Sequence, residues 1–473
     1  MEPGPADLDP GAAEPAPSGA YGGSRPSLAG ADAPPDLAYD GRGASLAPVP
    51  DAEGLDARGA EIVEAIAAET GAMHALLTEL VRAPTVLGNE AAGQDVMREA
   101  FGELGLDQVD VPMDADALRA HPGHSPFSWD VSEKANVVGT WAPRGEGPPG
   151  RSLILNGHVD VVSPEPVGRW RIPPFEPAIE GDWLYGRGAA DMKCGLAAIV
   201  GAVRGLRALG LAPRAPVMLE SVVEEECTGN GTLQCVLAGF TADAAIVAEP
   251  FGAAITTSQV GVLWFDVIVQ GEAGHAAEGS ERVNAIERSF AIAHALRGLE
   301  AELNELPPAP FDRFAHPINL NIGVIRGGDW PSTVPGECVT SYRLAQYPGA
   351  TMAELQARIE AVVASANDGD LPAPQVRYDG FRSEGYALAE DAPLVRELAA
   401  AFARQSGAPP ALVATTGVTD AGILGLHGGT PAVCFGPYAE QAHAVNERVY
   451  LPSVVQTAQV IGLFVRDWCG VDG

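Results

Sequence analysis

Positive charge is what this chain has least of. Its 473 residues carry 29 lysines and arginines against 62 aspartates and glutamates, a formal net charge of −33. Nucleic-acid binding needs a basic stripe that neutralises phosphates, and attraction to anionic lipid needs a basic patch; the composition speaks against both. Lysine is nearly missing, with Lys134 and Lys193 alone, so arginine supplies the remaining positive charge. Long apolar runs are missing as well. Without a stretch of about 18 apolar residues, no membrane-spanning helix is expected. Cysteine is sparse: six residues, none in a C-x-x-C pair, which excludes a disulfide scaffold and reads as buried free thiols in a reducing compartment. No basic and apolar leader follows Met1, so the expected location is cytoplasmic.

What is present is a hydrophobic content of 46%, ordinary for a globular protein, and length enough for two or three domains. Residues 1–60 stand apart, with ten prolines, ten glycines and ten acids against three arginines. That composition cannot bury enough surface to fold, and residues 1–59 read as a disordered tail or an over-long start. Folded sequence begins near Ala60. There Ile62, Ile66, Met73, Leu76, Leu77 and Leu80 form a helical stripe, interrupted at Gly71 and ended by Pro84. Beyond about residue 135, short apolar runs (Leu153–Leu155, Val217–Val223, Ala244–Ala248, Thr430–Phe435) alternate with helical patterns such as Leu196–Leu206, the signature of an α/β sheet. Between 261 and 378 the pattern becomes strand, helix, strand, strand, helix, strand. Its members include Trp264–Val269, Val283–Leu303, Ile318–Ile325, Glu337–Arg343 and Met352–Ala366, a self-contained α+β unit inserted into the first domain.

The histidines and acids fall where such a sheet binds ligands, beyond the carboxyl ends of its strands. His158 and Asp160 follow Leu153–Leu155. Glu224, Glu225 and Glu226 follow Val217–Val223, and Glu249 follows Ala244–Ala248. His443 lies in the loop after Phe435, and Asp191 just before the helix that opens at Lys193. Imidazole and carboxylate without thiolate suit Zn²⁺, with Mn²⁺ or Co²⁺ as alternatives. Two histidines, one glutamate each and a shared aspartate would hold two ions roughly 3.5–4 Å apart, leaving an extra glutamate free as general base. Cys194 and Cys227 lack a cysteine partner at ligand spacing. Each piece alone reads as a surface charge run, an ordinary turn or a structural histidine. Their coincidence at strand and helix ends is what points to a metal site.

In order along the chain stand His158-Val-Asp160, Gly186-Arg-Gly-Ala-Ala-Asp-Met-Lys193, Glu225-Glu-Cys-Thr-Gly-Asn-Gly231, Ala248-Glu-Pro250 and Ala442-His-Ala-Val-Asn-Glu447. These strings resemble the dinuclear zinc deacylase/peptidase family of acetylornithine deacetylase, succinyl-diaminopimelate desuccinylase, aminoacylase and bacterial glutamate carboxypeptidase. The resemblance runs from about Ala60 to the C-terminus. It implies an α/β fold in which a mixed-sheet, zinc-exopeptidase-like catalytic domain (60–260 and 379–473) carries an inserted, ferredoxin-like α+β dimerisation domain (261–378). It implies two divalent metal ions, zinc first and cobalt or manganese as alternatives, in a homodimer.

Residue by residue, the resemblance implies that His158, Asp191 and Glu249 hold one ion and Asp191, Glu226 and His443 the other. Asp160 would accept a hydrogen bond from His158, and Glu225 would act as the base. Aligning the motif's glycines with Gly229 and Gly231 selects Glu225; a register slipped by one selects Glu224. Gly274-His275-Ala276-Ala277 resembles the motif whose histidine reaches the partner subunit and donates to the oxyanion, a locally packed turn histidine being the alternative. Arg343 matches an arginine that pairs with a substrate carboxylate. One departure stands out: relatives carry Thr-Asp-Ala-Arg where this chain has Thr419-Asp-Ala-Gly422. Gly417 and Thr419 remain candidates to line the pocket through backbone and hydroxyl. The implied activity is hydrolysis of the amide of a small N-acyl amino acid or peptide-like analogue. A dipeptidase or carboxypeptidase is the nearest rival, and a non-catalytic binding protein the reading from another class.

Overall fold

The computed structural model describes Ala44–Ser45 and residues 54–144, 148–252, 254–367 and 371–473. The tail expected over 1–59 lies almost wholly outside the described residues. Helix α1 (Ala57–Ala68) opens three residues before the expected start, because the Asp56 carboxylate accepts the Gly59 N–H and caps it. Helix α2 (Thr70–Arg82) follows after a break at Glu69, with Gly71 inside it, and the stripe Ile62, Ile66, Met73, Leu77 and Leu80 is buried.

Strands β1 (Asp107–Pro112) and β2 (Ala135–Trp141) pair antiparallel at one edge of the main sheet. Then come β3 (Leu153–His158), helix α3 (Lys193–Ala208), β4 (Val217–Val222), β5 (Ala244–Val247) and β6 (Ala254–Gln259). The chain next builds a second sheet with β7 (Gly261–Gln270), α4 (Ala285–Leu303), β8 (Leu320–Gly327), β9 (Glu337–Gln346) and α5 (Met352–Ser365). It returns as α6 (Pro393–Ser406), β10 (Ala411–Thr415), α7 (Asp420–His427), β11 (Ala432–Cys434) and α8 (Leu451–Cys469).

The main sheet is mixed, ordered Ala44–Ser45, β10, β6, β11, β5, β3, β4, β2, β1. Its inner strands β4, β3, β5 and β11 run parallel, each to its neighbour, so their carboxyl ends share one edge. Parallel strands are covered on both faces, and every residue of β3, β4 and β5 is buried. That is why they read as continuous apolar runs. Helices α1, α2 and α8 pack on α3, itself almost wholly buried. The second sheet, β8-β9-β7 with Gln375–Arg377 beyond, is antiparallel. One face, with Phe265, Val267, Tyr342 and Leu344, meets Ile292, Leu296, Leu355 and Ile359 of α4 and α5 in a separate core. Trp264, Asp266 and Arg343, one residue out of step, belong to the opposite face.

Two glycines set how closely helices approach the strand ends. A Cβ on Gly195, in the first turn of α3, would fall 2.0 Å from the Ala248 carbonyl oxygen. One on Gly231, in the helix Asn230–Leu237, would fall 1.9 Å from that of Val223. Neither position has room for a side chain.

Candidate metal centre

The parallel strands deliver their terminal residues to one place. His158 closes β3, Glu225 and Glu226 follow β4, Glu249 follows β5, and His443 reaches in from the loop after β11. Asp191 joins them from the turn before α3. His158 Nε2 lies 3.2 Å from Asp191 Oδ1, 3.6 Å from Glu249 Oε1 and 3.7 Å from Glu225 Oε2. His443 Nε2 lies 3.3 Å from Asp191 Oδ2 and 3.0 Å from Glu226 Oε2. Asp191 thus turns one oxygen to each histidine. Two overlapping triads have ligand atoms within 4.8 Å of one another: His158 with Asp191 and Glu226, and His158 with Glu225 and Glu249.

This donor set fits divalent cations. Four carboxylates converge on the two imidazoles, and among the described residues buried Glu226 Oε1 has no hydrogen-bond partner. Burial pushes the Glu226 carboxyl up to about 7, with Asp191 adding repulsion, and burial lifts Glu225 well above the carboxylate range. Burial opposes protonation of His443, but its bonds to Asp191 and Glu226 hold its pKa at about 11. A site that gathers protons this strongly without a metal is one that positive charge satisfies. Oxygen and imidazole donors suit zinc and its borderline neighbours. Cys194 and Cys227 belong to neither triad, and all six cysteines are buried free thiols.

Other anticipated residues take more varied positions. The Asp160 main-chain carbonyl, rather than its carboxylate, meets His158 Nδ1 at 2.9 Å. The carboxylate instead accepts the N–H groups of Glu225 and Glu226 at 3.2 and 3.0 Å, holding that turn beneath the site. Glu224 faces away from the triads. Its Oε1 accepts Lys134 Nζ and Trp129 Nε1, each at 2.7 Å, and its Oε2 accepts the Thr228 hydroxyl at 3.0 Å. Lys134 also pairs with Glu90 at 2.7 Å. His275 is exposed in the second lobe, with Nδ1 accepting the Ala277 N–H, and it is not among the side chains that meet around Asp191. Arg343 Nη2 donates to the Thr416 carbonyl at 3.3 Å. Thr419 is buried, its hydroxyl donating to Gln259 Oε1 at 2.6 Å while capping α7, so that hydroxyl is engaged inside the protein. Gly417 is half-buried, its N–H on the Thr415 hydroxyl.

Arg187 and Glu447 stand inside the motifs, where spacing alone assigns them no role. Both are buried and paired with each other. Glu447 Oε1 also accepts the N–H groups of Ala190 and Asp191 at 2.8 and 3.0 Å. The loop carrying His443 is therefore fastened to the turn carrying Asp191. Lys193 donates to the Leu80 and Ala83 carbonyls at the end of α2. Both of the chain's lysines thus anchor the surroundings of the centre, and their scarcity was the available signal.

A mixed α/β sheet with two imidazoles and four carboxylates at its carboxyl edge has the donor set of a metal-dependent hydrolase. Residues 154–467 match the peptidase family M20/M25/M40, and the chain belongs to that family. Among its relatives, the N-formyl-4-amino-5-aminomethyl-2-methylpyrimidine deformylase of Bacillus subtilis strain 168 is 31% identical, covering 73% of this chain and 86% of the relative. A succinyl-diaminopimelate desuccinylase of Alkalilimnicola ehrlichii is also 31% identical, over 68% and 85%. A dipeptidase of Saccharomyces cerevisiae shares the fold with a TM-score of 0.69 at 14% identity, over 87% of this chain and 98% of that one. A Bacillus subtilis dinuclear metal-binding peptidase of the M20 family does so at 0.55 and 14%, over 85% and 99%.

Proposed function

We propose that this protein is a deacylase that hydrolyses the amide of an N-acyl amino acid or close analogue. The observation that carries the reading is Asp191 lying between His158 and His443, with Glu225 beside them. In this reading His158, Asp191 and Glu249 hold one divalent ion and Asp191, Glu226 and His443 a second; zinc is the first choice, cobalt or manganese the alternatives. When bound, the ions supply Lewis acidity to the acyl carbonyl and to the attacking water. The chain's own residues do the rest. Glu225 takes a proton from the water and passes it to the leaving amine nitrogen; its burial favours the protonated form needed for the second step. Asp160 keeps the Glu225–Glu226 turn in place. Glu225 is preferred over Glu224 because the Glu224 carboxylate already accepts three donors.

His275 from a second copy would donate to the oxyanion through Nε2, since Nδ1 is engaged. Support for a homodimer is the edge strand β8, which with α4 exposes Ile322, Ile325 and Phe290, an apolar surface that invites pairing. In this reading 60–260 and 379–473 are catalytic and 261–378 dimerising. Arg343 and the backbone at Gly417 would receive the substrate's carboxylate side. A cytoplasmic location accords with six free thiols, and no helix of the described residues is long and apolar enough to cross a membrane.

The deformylase and desuccinylase relatives favour acyl transfer to water; the dipeptidase fold neighbour keeps peptide cleavage as the second reading. Metal-loaded protein offered N-acyl amino acids and dipeptides separates the two. Acid and free amine released from the former in preference is the expected result, and cleavage of dipeptides alone rejects the deacylase.

A further inference from the structure

A cavity of about 440 Å³ opens on the second sheet's outer face, bordered by Trp129 of the first domain. That lies within the range of small-molecule pockets, about 300–1,000 Å³. Its walls bring together two of the chain's seven tryptophans, Trp129 and Trp264, with Gly323 and Gly380 leaving bare main chain between them. A Cβ on Gly380 would fall 2.4 Å from the Trp264 ring, so indole and backbone touch.

The polar edge is selective. Three of its charged groups already have partners: Arg377 and Asp266 pair at 2.6 Å, and Asp379 accepts the Ser128 hydroxyl at 2.7 Å, while Arg326 on the same edge is exposed to solvent. Arg343 pairs with no carboxylate among the described residues and donates to the Thr416 carbonyl. In so acidic a chain, a half-buried guanidinium with no acid partner suits an anionic ligand. One wall of the cavity is also bonded to the turn that carries Glu225. Trp129 Nε1 donates to Glu224, the residue before Glu225.

Indoles and bare backbone favour a flat apolar group, whose burial and stacking they reward, while Arg343 favours a carboxylate. We propose that this cavity is the specificity pocket for the amine half of the substrate, and that it selects N-acylated aromatic amino acids. The ring packs on Trp129 and Trp264 with the α-carboxylate on Arg343. The inference rests on the deacylase reading and adds the aromatic ring to it.

The test compares kcat/KM of metal-loaded protein for acylated phenylalanine, alanine and phenethylamine, each as formyl, acetyl and succinyl derivatives. Acylphenylalanine should lead acylalanine by about ten- to a hundred-fold, the worth of one buried ring, and should lead acylphenethylamine, which lacks the carboxylate. Trp264→Ala should close the gap to alanine. Gly323→Val should close it too by filling the cavity, since a Cβ there meets nothing nearer than Asn321 Nδ2 at 3.5 Å; it keeps the test alive if Trp264→Ala does not fold. Arg343→Met should close the gap to phenethylamine. Equal rates on acylphenylalanine and acylalanine, or a gap that survives both pocket variants, overturns the proposal and leaves the deacylase standing. Failure of metal-replete protein on every acylated amino acid overturns the deacylase reading itself.

Discussion

Glu447 offers the sharpest test of how the centre is held together. Its carboxylate is buried, accepts the Ala190 and Asp191 N–H groups at 2.8 and 3.0 Å, and pairs with Arg187. Glu447→Gln retains an oxygen for the two N–H groups but removes the charge facing a buried guanidinium. Breaking a buried ion pair costs about 3–5 kcal/mol, and most of that should appear as lower stability of metal-free protein. A smaller share should appear in metal binding, because Asp191 is the residue both proposed sites share and Glu447 fixes its main chain. Partners that orient ligands typically change metal affinity about 10–100-fold, or about 1.4–2.7 kcal/mol. The assay is zinc affinity by competition with a chromophoric chelator, alongside thermal unfolding of the metal-free protein. Arg187→Met should weaken binding by a similar factor, and the double variant should add little, since each single change breaks the same pair. Wild-type affinity in both single variants refutes the brace, whatever happens to stability.

Other expectations concern the acids and the metal. Glu225→Ala should retain two equivalents of metal by elemental analysis yet lose about 10²–10⁴-fold in kcat, whereas Glu226→Ala should lose metal; a metal-replete, inactive Glu224→Ala in place of Glu225→Ala reverses the assignment. In the present reading Glu224→Ala is a stability lesion, leaving buried Lys134 with Glu90 alone and taking the acceptor from Trp129 Nε1; denaturant titration should show a loss of about 1–3 kcal/mol. Chelation should abolish turnover, with zinc, cobalt or manganese restoring it, and chelator-insensitive activity contradicts the mechanism. Glu220, buried in β4 with Oε1 unpartnered among the described residues, is pushed by burial up to about 8. Its raised folded-state pKa means stability is full below the unfolded value and declines as pH rises toward 8. Glu220→Gln should therefore raise Tm most at the alkaline end of that window and little at its acidic end; a pH-independent effect contradicts the assignment.

Legibility tracked how local the physics is. The inner strands β3, β4 and β5 were readable because burial on both faces demands an unbroken apolar run. The ligands were readable because each ends such a run or opens a helix. The edge strand β1 lacks that signal, being exposed at five of its six residues, and β2, though buried at five of its seven, breaks its apolar run with Asn136, Gly139 and Thr140. Helix α8, almost wholly buried, leaves no clear pattern in the sequence, because burial all round blurs the stripe that marks a surface helix.

By itself, then, the sequence determined which chemistry assembles: two imidazoles and a set of carboxylates at the ends of strands whose parallel order brings them together. Tertiary structure decided how they are deployed. Glu224 and Glu225 are adjacent and identical in type, yet one accepts Lys134 and Trp129, 90 and 95 residues away, while the other faces the metal centre. Asp160 meets His158 through its carbonyl because its carboxylate is drawn to a turn 65 residues on. Glu447 finds Arg187 across 260 residues. Partners that far apart leave no period or spacing in the chain, and only packing brings them within reach.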